Sequence, residues 1–154
     1  MTLVPKWDQR FLQLAEFTAS WSKDPSTKVG AAIVRPDRTI ASVGFNGFPR
    51  FVCDDASLYE NRDLKYKMVI HAELNAILAA REPLHGCTTY VWPFMPCSNC
   101  AGALIQAGVT KVVSVENDNP RWQESFALTR MMLSEASVEL VIVPKEQLAI
   151  PVVP

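Results

Sequence analysis

The sequence predicts an α/β chain built on a mixed five-stranded sheet with helices on both faces. Three observations lead there. The first residues carry apolar side chains at helical spacing. Two short apolar runs follow, split by a turn tripeptide, and read as a hairpin. Over the second half, strand-like and helix-like segments alternate, which implies parallel strands joined by right-handed crossovers.

Each element has a local reason. Residues 6–22 place Trp7, Phe11, Leu14, Phe17 or Thr18, and Trp21 on one helical face. "DPST", Asp24–Thr27, ends that helix, because proline cannot continue it. "KVGAAIVR" and "TIASVGF" are two strands, with Pro36-Asp37-Arg38 as the turn between them. Residues 46–70 read as one long loop, and a loop of that length inside a domain is often functional. "HAELNAILAAR" is a second helix, apolar around most of its surface and so expected to be deeply packed. "CTTYVW" is a third strand. "CSNCAGALIQAG" is a third helix, capped by Gly108. "KVVSV" is a fourth strand. Pro120 opens a fourth helix over about 120–136, with Trp122, Phe126, Thr129 and Leu133 on its buried face. "VELVIV" is a fifth strand, and "PVVP" (151–154) a short proline-flanked tail.

The 154 residues suit a single domain, and neither a repeat nor a linker divides them. The net charge is −1 with no basic run, so a nucleic-acid partner is not expected. "MTLVPKWDQRF" lacks the apolar core of a signal peptide, and no apolar run is long enough to span a membrane. A soluble, cytoplasmic protein is expected. In a reducing cytosol its four cysteines are thiols or metal ligands rather than disulfides.

Two motifs carry chemistry. One is His71-Ala72-Glu73, the other "PCSNC", Pro96–Cys100. A Cys-x-x-Cys by itself can be half of a zinc site, a redox pair, a disulfide or chance. His71, Cys97 and Cys100 together supply three ligands of the two types, imidazole and thiolate, that zinc prefers. Three protein ligands leave a fourth position for water, which is the catalytic arrangement. Both motifs open helices, and a helix N-terminus favours thiolate over thiol. Glu73, two residues from His71, is placed to move protons beside such a water. The alternatives are a structural zinc completed by a residue such as Cys87, or a thiol pair.

His-x-Glu followed by Pro-Cys-x-x-Cys is the pattern of zinc nucleobase deaminases. The chain further resembles the deoxycytidylate (dCMP) deaminase branch of the cytidine deaminase-like superfamily. The resemblance lies in "SKDPSTKVGA", "GFNGFPR", "CDD", "HAELNAI", "PCSNCA" and "QAGVTKVV" and spans about residues 6–115. It implies a three-layer αβα fold, one Zn2+ held by His71, Cys97 and Cys100, and hydrolytic release of ammonia from cytosine C4. It implies attack by a zinc-bound hydroxide, with Glu73 as the proton shuttle. It also implies a small-molecule nucleotide substrate and a homo-oligomer. By the same resemblance Asn46 contacts sugar or base, and a peptide N–H at Ala72 or Cys97 holds the exocyclic group. The resemblance also implies that the segment holding Lys23, Ser26, Thr27 and Lys28 faces the 5′-phosphate. Independently of it, Trp92, Phe94 and Met95 are candidates to line the base pocket, with Phe94 first because an aromatic can stack on a flat base.

The match weakens at two places. Phe51-Val52 stands where the family often has glycine, and "ENDNPRW" (Glu116–Trp122) replaces a stretch found in regulated members. Arg121 and Trp122 are candidates for phosphate and base, or else a capped helix with a core tryptophan. Another cytosine nucleotide, including a 5-substituted one, therefore stays open as substrate. Two rival readings are a tRNA adenosine deaminase, which shares both zinc motifs, and a non-catalytic zinc module, which has no use for Glu73.

Overall fold

The computed structural model describes residues 4–148. The expected "PVVP" tail lies outside them. The elements are α1 (Lys6–Ala19), β1 (Gly30–Val34), β2 (Ile40–Phe45), α2 (Ala56–Glu60), α3 (Arg62–Met68), α4 (Ala72–Ala79), β3 (Thr88–Trp92), α5 (Ser98–Gln106), β4 (Lys111–Val115), α6 (Gln123–Glu135), β5 (Glu139–Val143) and α7 (Lys145–Leu148). A single 3₁₀ turn, Pro120–Trp122, leads into α6.

The strands form one sheet in the order β2-β1-β3-β4-β5. β1 pairs antiparallel with both β2 and β3, whereas β3, β4 and β5 are parallel. This is the predicted mixed sheet: a hairpin joined to a crossover-connected half. Alternation along β1 assigns its two faces. Ala32 and Val34 join Phe11, Leu12 and Ala15 of α1 in one core. Ala31 and Ile33 meet Ala72 and Ala76 of α4 in another. Leu104 of α5 and Leu133 of α6 close a third cluster with Val112. Helices therefore cover both faces, and the architecture is αβα.

The structure departs from the sequence expectations in four elements. Residues 46–70 are not one long loop, because α2 and α3 lie within them; the Asn61 side chain accepts from Leu64 N and caps α3. α1 stops at Ala19, and Trp21 and Phe17 are exposed while Thr18 is buried. α4 is not packed all round: Leu74 and Leu78 face outward, and only Ala72, Glu73 and Ala76 are buried. Trp122 is not a core residue of α6, since it precedes that helix and is half-buried, leaving Phe126, Thr129 and Leu133 as the packed face. Gly108, expected to cap the third helix, follows α5 with φ 93°, a left-handed conformation that suits glycine.

No helix among the described residues is long and apolar enough to cross a membrane.

Candidate active site

Two helix starts meet at one end of the sheet. His71 is the N-cap residue of α4, and Cys97 is the N-cap residue of α5. His71 follows Ile70, which bridges to Gly47 just after β2, and Cys97 follows the irregular segment 93–96 that leaves β3. Gly44 of β2 lets α4 lie close: a Cβ there would stand 2.4 Å from Ala72 O and 2.5 Å from Ala76 N. The Pro-Cys turn is anchored from α6. The Thr129 hydroxyl donates to Pro96 O at 2.9 Å, and Ser98 N donates to Ser125 Oγ at 2.9 Å.

These supports bring the three predicted ligands together. His71 Nδ1 lies 3.4 Å from Cys97 Sγ and 3.5 Å from Cys100 Sγ. Ligand atoms of all three residues fall within 4.8 Å of one another. A tetrahedral zinc with the usual bond lengths sets its nitrogen and sulfur ligands roughly 3.6 Å apart. The observed spacing fits that ion, and one imidazole with two thiols is a donor set that zinc favours. The two thiols also compete for a single negative charge. Cys97 is held down to about 4, first by its hydrogen bond with Cys100 and then by His71, while Cys100 is pushed above the usual thiol range. A dication between them would favour both as thiolates.

Glu73 is buried beside the three ligands, in the first turn of α4. Burial pushes its carboxyl up to about 7; the nearby Cys97 sulfur acts in the same direction and His71 against it. A carboxyl near neutrality can both take and give a proton.

The site opens into a solvent-facing cleft. Of the predicted residues, Asn46, Ala72, Glu73, Phe94, Ser26 and Thr27 line it together with His71 and Cys97. Cys100 sits behind the lining. Lys23 does not reach the cleft; it is exposed and pairs with Asp54 at 2.5 Å. Phe94 stacks on Trp122, with centroids 5.6 Å apart and planes 28° apart. Arg121 also lines the cleft. Trp92 packs instead against the α1 core, and Met95 is buried. Cys53 is exposed and Cys87 buried, and neither joins the ligand cluster.

Asn46 is held at both ends of its amide. Its Oδ1 accepts from Val29 N at 2.9 Å, and its Nδ2 donates to Thr27 O at 2.9 Å. It thus ties the end of β2 to the segment before β1.

Sequence reasoning missed Asp24, Lys65 and Tyr66, which also line the cleft. Asp24 stood in the sequence only as part of a helix-ending tetrapeptide. Lys65 and Tyr66 fell in the supposed loop, where nothing signalled that a lysine would be buried.

Comparison with known proteins agrees with this geometry. The sequence profile of the "Cytidine and deoxycytidylate deaminase zinc-binding region" matches residues 5–116. The chain belongs to this deaminase family. A relative from Aliivibrio fischeri, described as an uncharacterized deaminase in the luxG 3′ region, is 47% identical, covering 92% of this chain and 97% of its own. A probable deoxycytidylate deaminase of Caenorhabditis elegans is 44% identical over 92% of this chain and 73% of its own. The mouse deoxycytidylate deaminase is 38% identical over 86% and 77%. The crystal structure of the apo dCMP deaminase of cyanophage S-TIM5 has TM-score 0.71 and 25% identity, covering 92% of this chain and 100% of that one. The deaminase is accordingly a zinc-dependent hydrolase with the expected αβα fold.

Proposed function

We propose that this deaminase hydrolyses dCMP to dUMP and ammonia. The observation that carries the reading is the buried Glu73 beside His71, Cys97 and Cys100, at the floor of a cleft with an aromatic wall. The deoxycytidylate deaminases among the relatives support the choice of substrate.

His71, Cys97 and Cys100 would hold the zinc, which when bound lowers the pKa of a water and so makes a nucleophile near neutral pH. Glu73 accepts the proton of that water and passes it to N3 of the cytosine. Protonation at N3 draws electrons from C4, where the water oxygen adds. Glu73 then transfers the second proton to the amino group, the C4–N bond breaks, and ammonia leaves with the carbonyl formed at C4. One water is consumed and one ammonia released, and Glu73 ends as it began.

The other residues orient. Phe94, braced by Trp122, offers a flat face for the base. Ala72 is the first residue of α4, so its N–H has no partner within the helix and is free to meet the exocyclic group. Asn46 places the cleft wall through its bonds to Val29 and Thr27, and its remaining acceptor capacity faces the sugar. Ser26 and Thr27 carry hydroxyls toward the 5′ end. The deaminase works as a homo-oligomer in the cytoplasm.

The test is ammonia release by zinc-loaded protein from dCMP, CMP, deoxycytidine and an adenosine-bearing tRNA anticodon stem. Preference for dCMP is the expected result. Activity on the tRNA stem alone would overturn it in favour of a tRNA adenosine deaminase.

A further inference from the structure

Lys65 is the least expected residue in the cleft wall. Its side chain is buried, at 4% exposure, and its ammonium lies 3.3 Å from Asp24. A buried lysine needs a partner, and Asp24 supplies one. That carboxylate is also taken up by other donors: Ser26 N at 2.8 Å, Thr27 N at 3.3 Å and Asn46 Nδ2 at 3.5 Å. The lysine is not similarly satisfied. An ammonium carries three N–H donors, and Asp24 is its only hydrogen-bond partner among the described residues. It therefore has donor capacity left at the cleft wall it lines.

A second cation lies nearby. Lys65 Nζ is 5.4 Å and Arg121 Cζ 4.9 Å from the centroid of the same Tyr66 ring. Arg121 forms no ion pair with a carboxylate among the described residues, so two cations stand near the same ring and only one of them, Lys65, is paired with a carboxylate. Like charges gathered in this way call for an anion. The hydroxyls of Ser26 and Thr27, in the same cleft, have no hydrogen-bond partner among the described residues. A doubly charged phosphate monoester, with three terminal oxygens, matches two cations and two hydroxyls.

We propose that Lys65 determines specificity for the phosphorylated nucleotide: held in place by Asp24, it binds the 5′-phosphate jointly with Arg121 and the Ser26 and Thr27 hydroxyls. The proposal rests on the cleft being a nucleotide site. It departs from the sequence expectation by giving the cationic contact to Lys65 and not to Lys23, which is exposed and paired with Asp54.

The experiment measures binding by calorimetry, so it does not depend on turnover. Zinc-loaded wild-type protein, Lys65→Met and the double variant Asp24→Asn/Lys65→Met are titrated with dUMP, deoxyuridine and inorganic phosphate. The double variant removes both charges, so no lone carboxylate is left buried if the single variant folds poorly. Wild-type protein should bind dUMP at least about tenfold more tightly than deoxyuridine, as a charge-assisted contact implies. Both variants should lose most of that ratio. A merely structural role for Lys65 would weaken both ligands in proportion and leave the ratio unchanged, which would overturn the proposal. Wild-type protein that binds dUMP no better than deoxyuridine would overturn it too. Inorganic phosphate that binds wild type as tightly as dUMP would show a free anion site and not a nucleotide subsite, again overturning it. Failure of the functional reading looks different: the dUMP preference would stand while dCMP yielded no ammonia.

Discussion

Gly44→Ala is a small change on the strand beneath α4 that should disable the site through the position of that helix. Gly44 lies on β2 beneath α4. The new Cβ would stand 2.4 Å from Ala72 O and 2.5 Å from Ala76 N, both backbone atoms of that helix. Ordinary contact needs roughly 3.5 Å, so α4 must withdraw by about 1 Å. No flexible side chain can absorb the clash, and overpacking of this kind costs about 2–3 kcal/mol. For a domain of this size that lowers the melting temperature by roughly 5–10 °C. The same helix starts at His71 and carries Glu73 in its first turn. Misplacing a reacting group by about 1 Å costs on the order of 100-fold in rate. Melting followed by circular dichroism, and ammonia release at a temperature where the variant stays folded, read the two effects separately. A variant as stable and as active as wild type would refute the close-approach reasoning. Lost stability with intact turnover would show that α4 does not set the position of Glu73.

Other substitutions have different signatures. Gly102→Ala, in the middle of α5 with nothing within 4 Å of the added methyl, should raise stability by about 0.5–1 kcal/mol through helix propensity, and an unfolding curve in urea checks it. Thr129→Val removes the hydroxyl that holds Pro96 O and should cost about 1–2 kcal/mol, read in the same way, with weaker zinc retention in a chelator competition. Asn46→Ala strands Val29 N and Thr27 O and should lower both stability and turnover, by at least about 1 kcal/mol in the former. Stripping zinc with a chelator should lower the melting temperature reversibly: free zinc at 100 times its dissociation constant contributes about 2.7 kcal/mol.

Much of this was legible in the sequence because local and global signals agree. The apolar strands, the turn at Pro36-Asp37-Arg38 and the alternation after His71 place all five strands. His71, Cys97 and Cys100 could be read because metal chemistry restricts ligand type and spacing. The rest depends on contacts that sequence does not encode locally. Helices α2 and α3 are only 5 and 7 residues long, too short to show periodicity, and they owe their form to a cap at Asn61 and to packing. Lys65 gives no signal of burial, because lysine is ordinarily exposed; only Asp24, distant in sequence, makes it tolerable. Leu74 and Leu78 look like core residues yet face outward, because burial of α4 is decided by where β1 and β2 lie. Trp122 fits the helical face of α6 by spacing, yet the 3₁₀ turn at Pro120 swings it onto Phe94.

The most direct test of the account is to measure zinc content and ammonia release from dCMP together, for wild type and Glu73→Gln. The account predicts one zinc per chain in both proteins, rapid ammonia release by wild type, and loss of turnover by at least about 100-fold in the variant. A Glu73→Gln protein that keeps its zinc and still deaminates dCMP at the wild-type rate would contradict it.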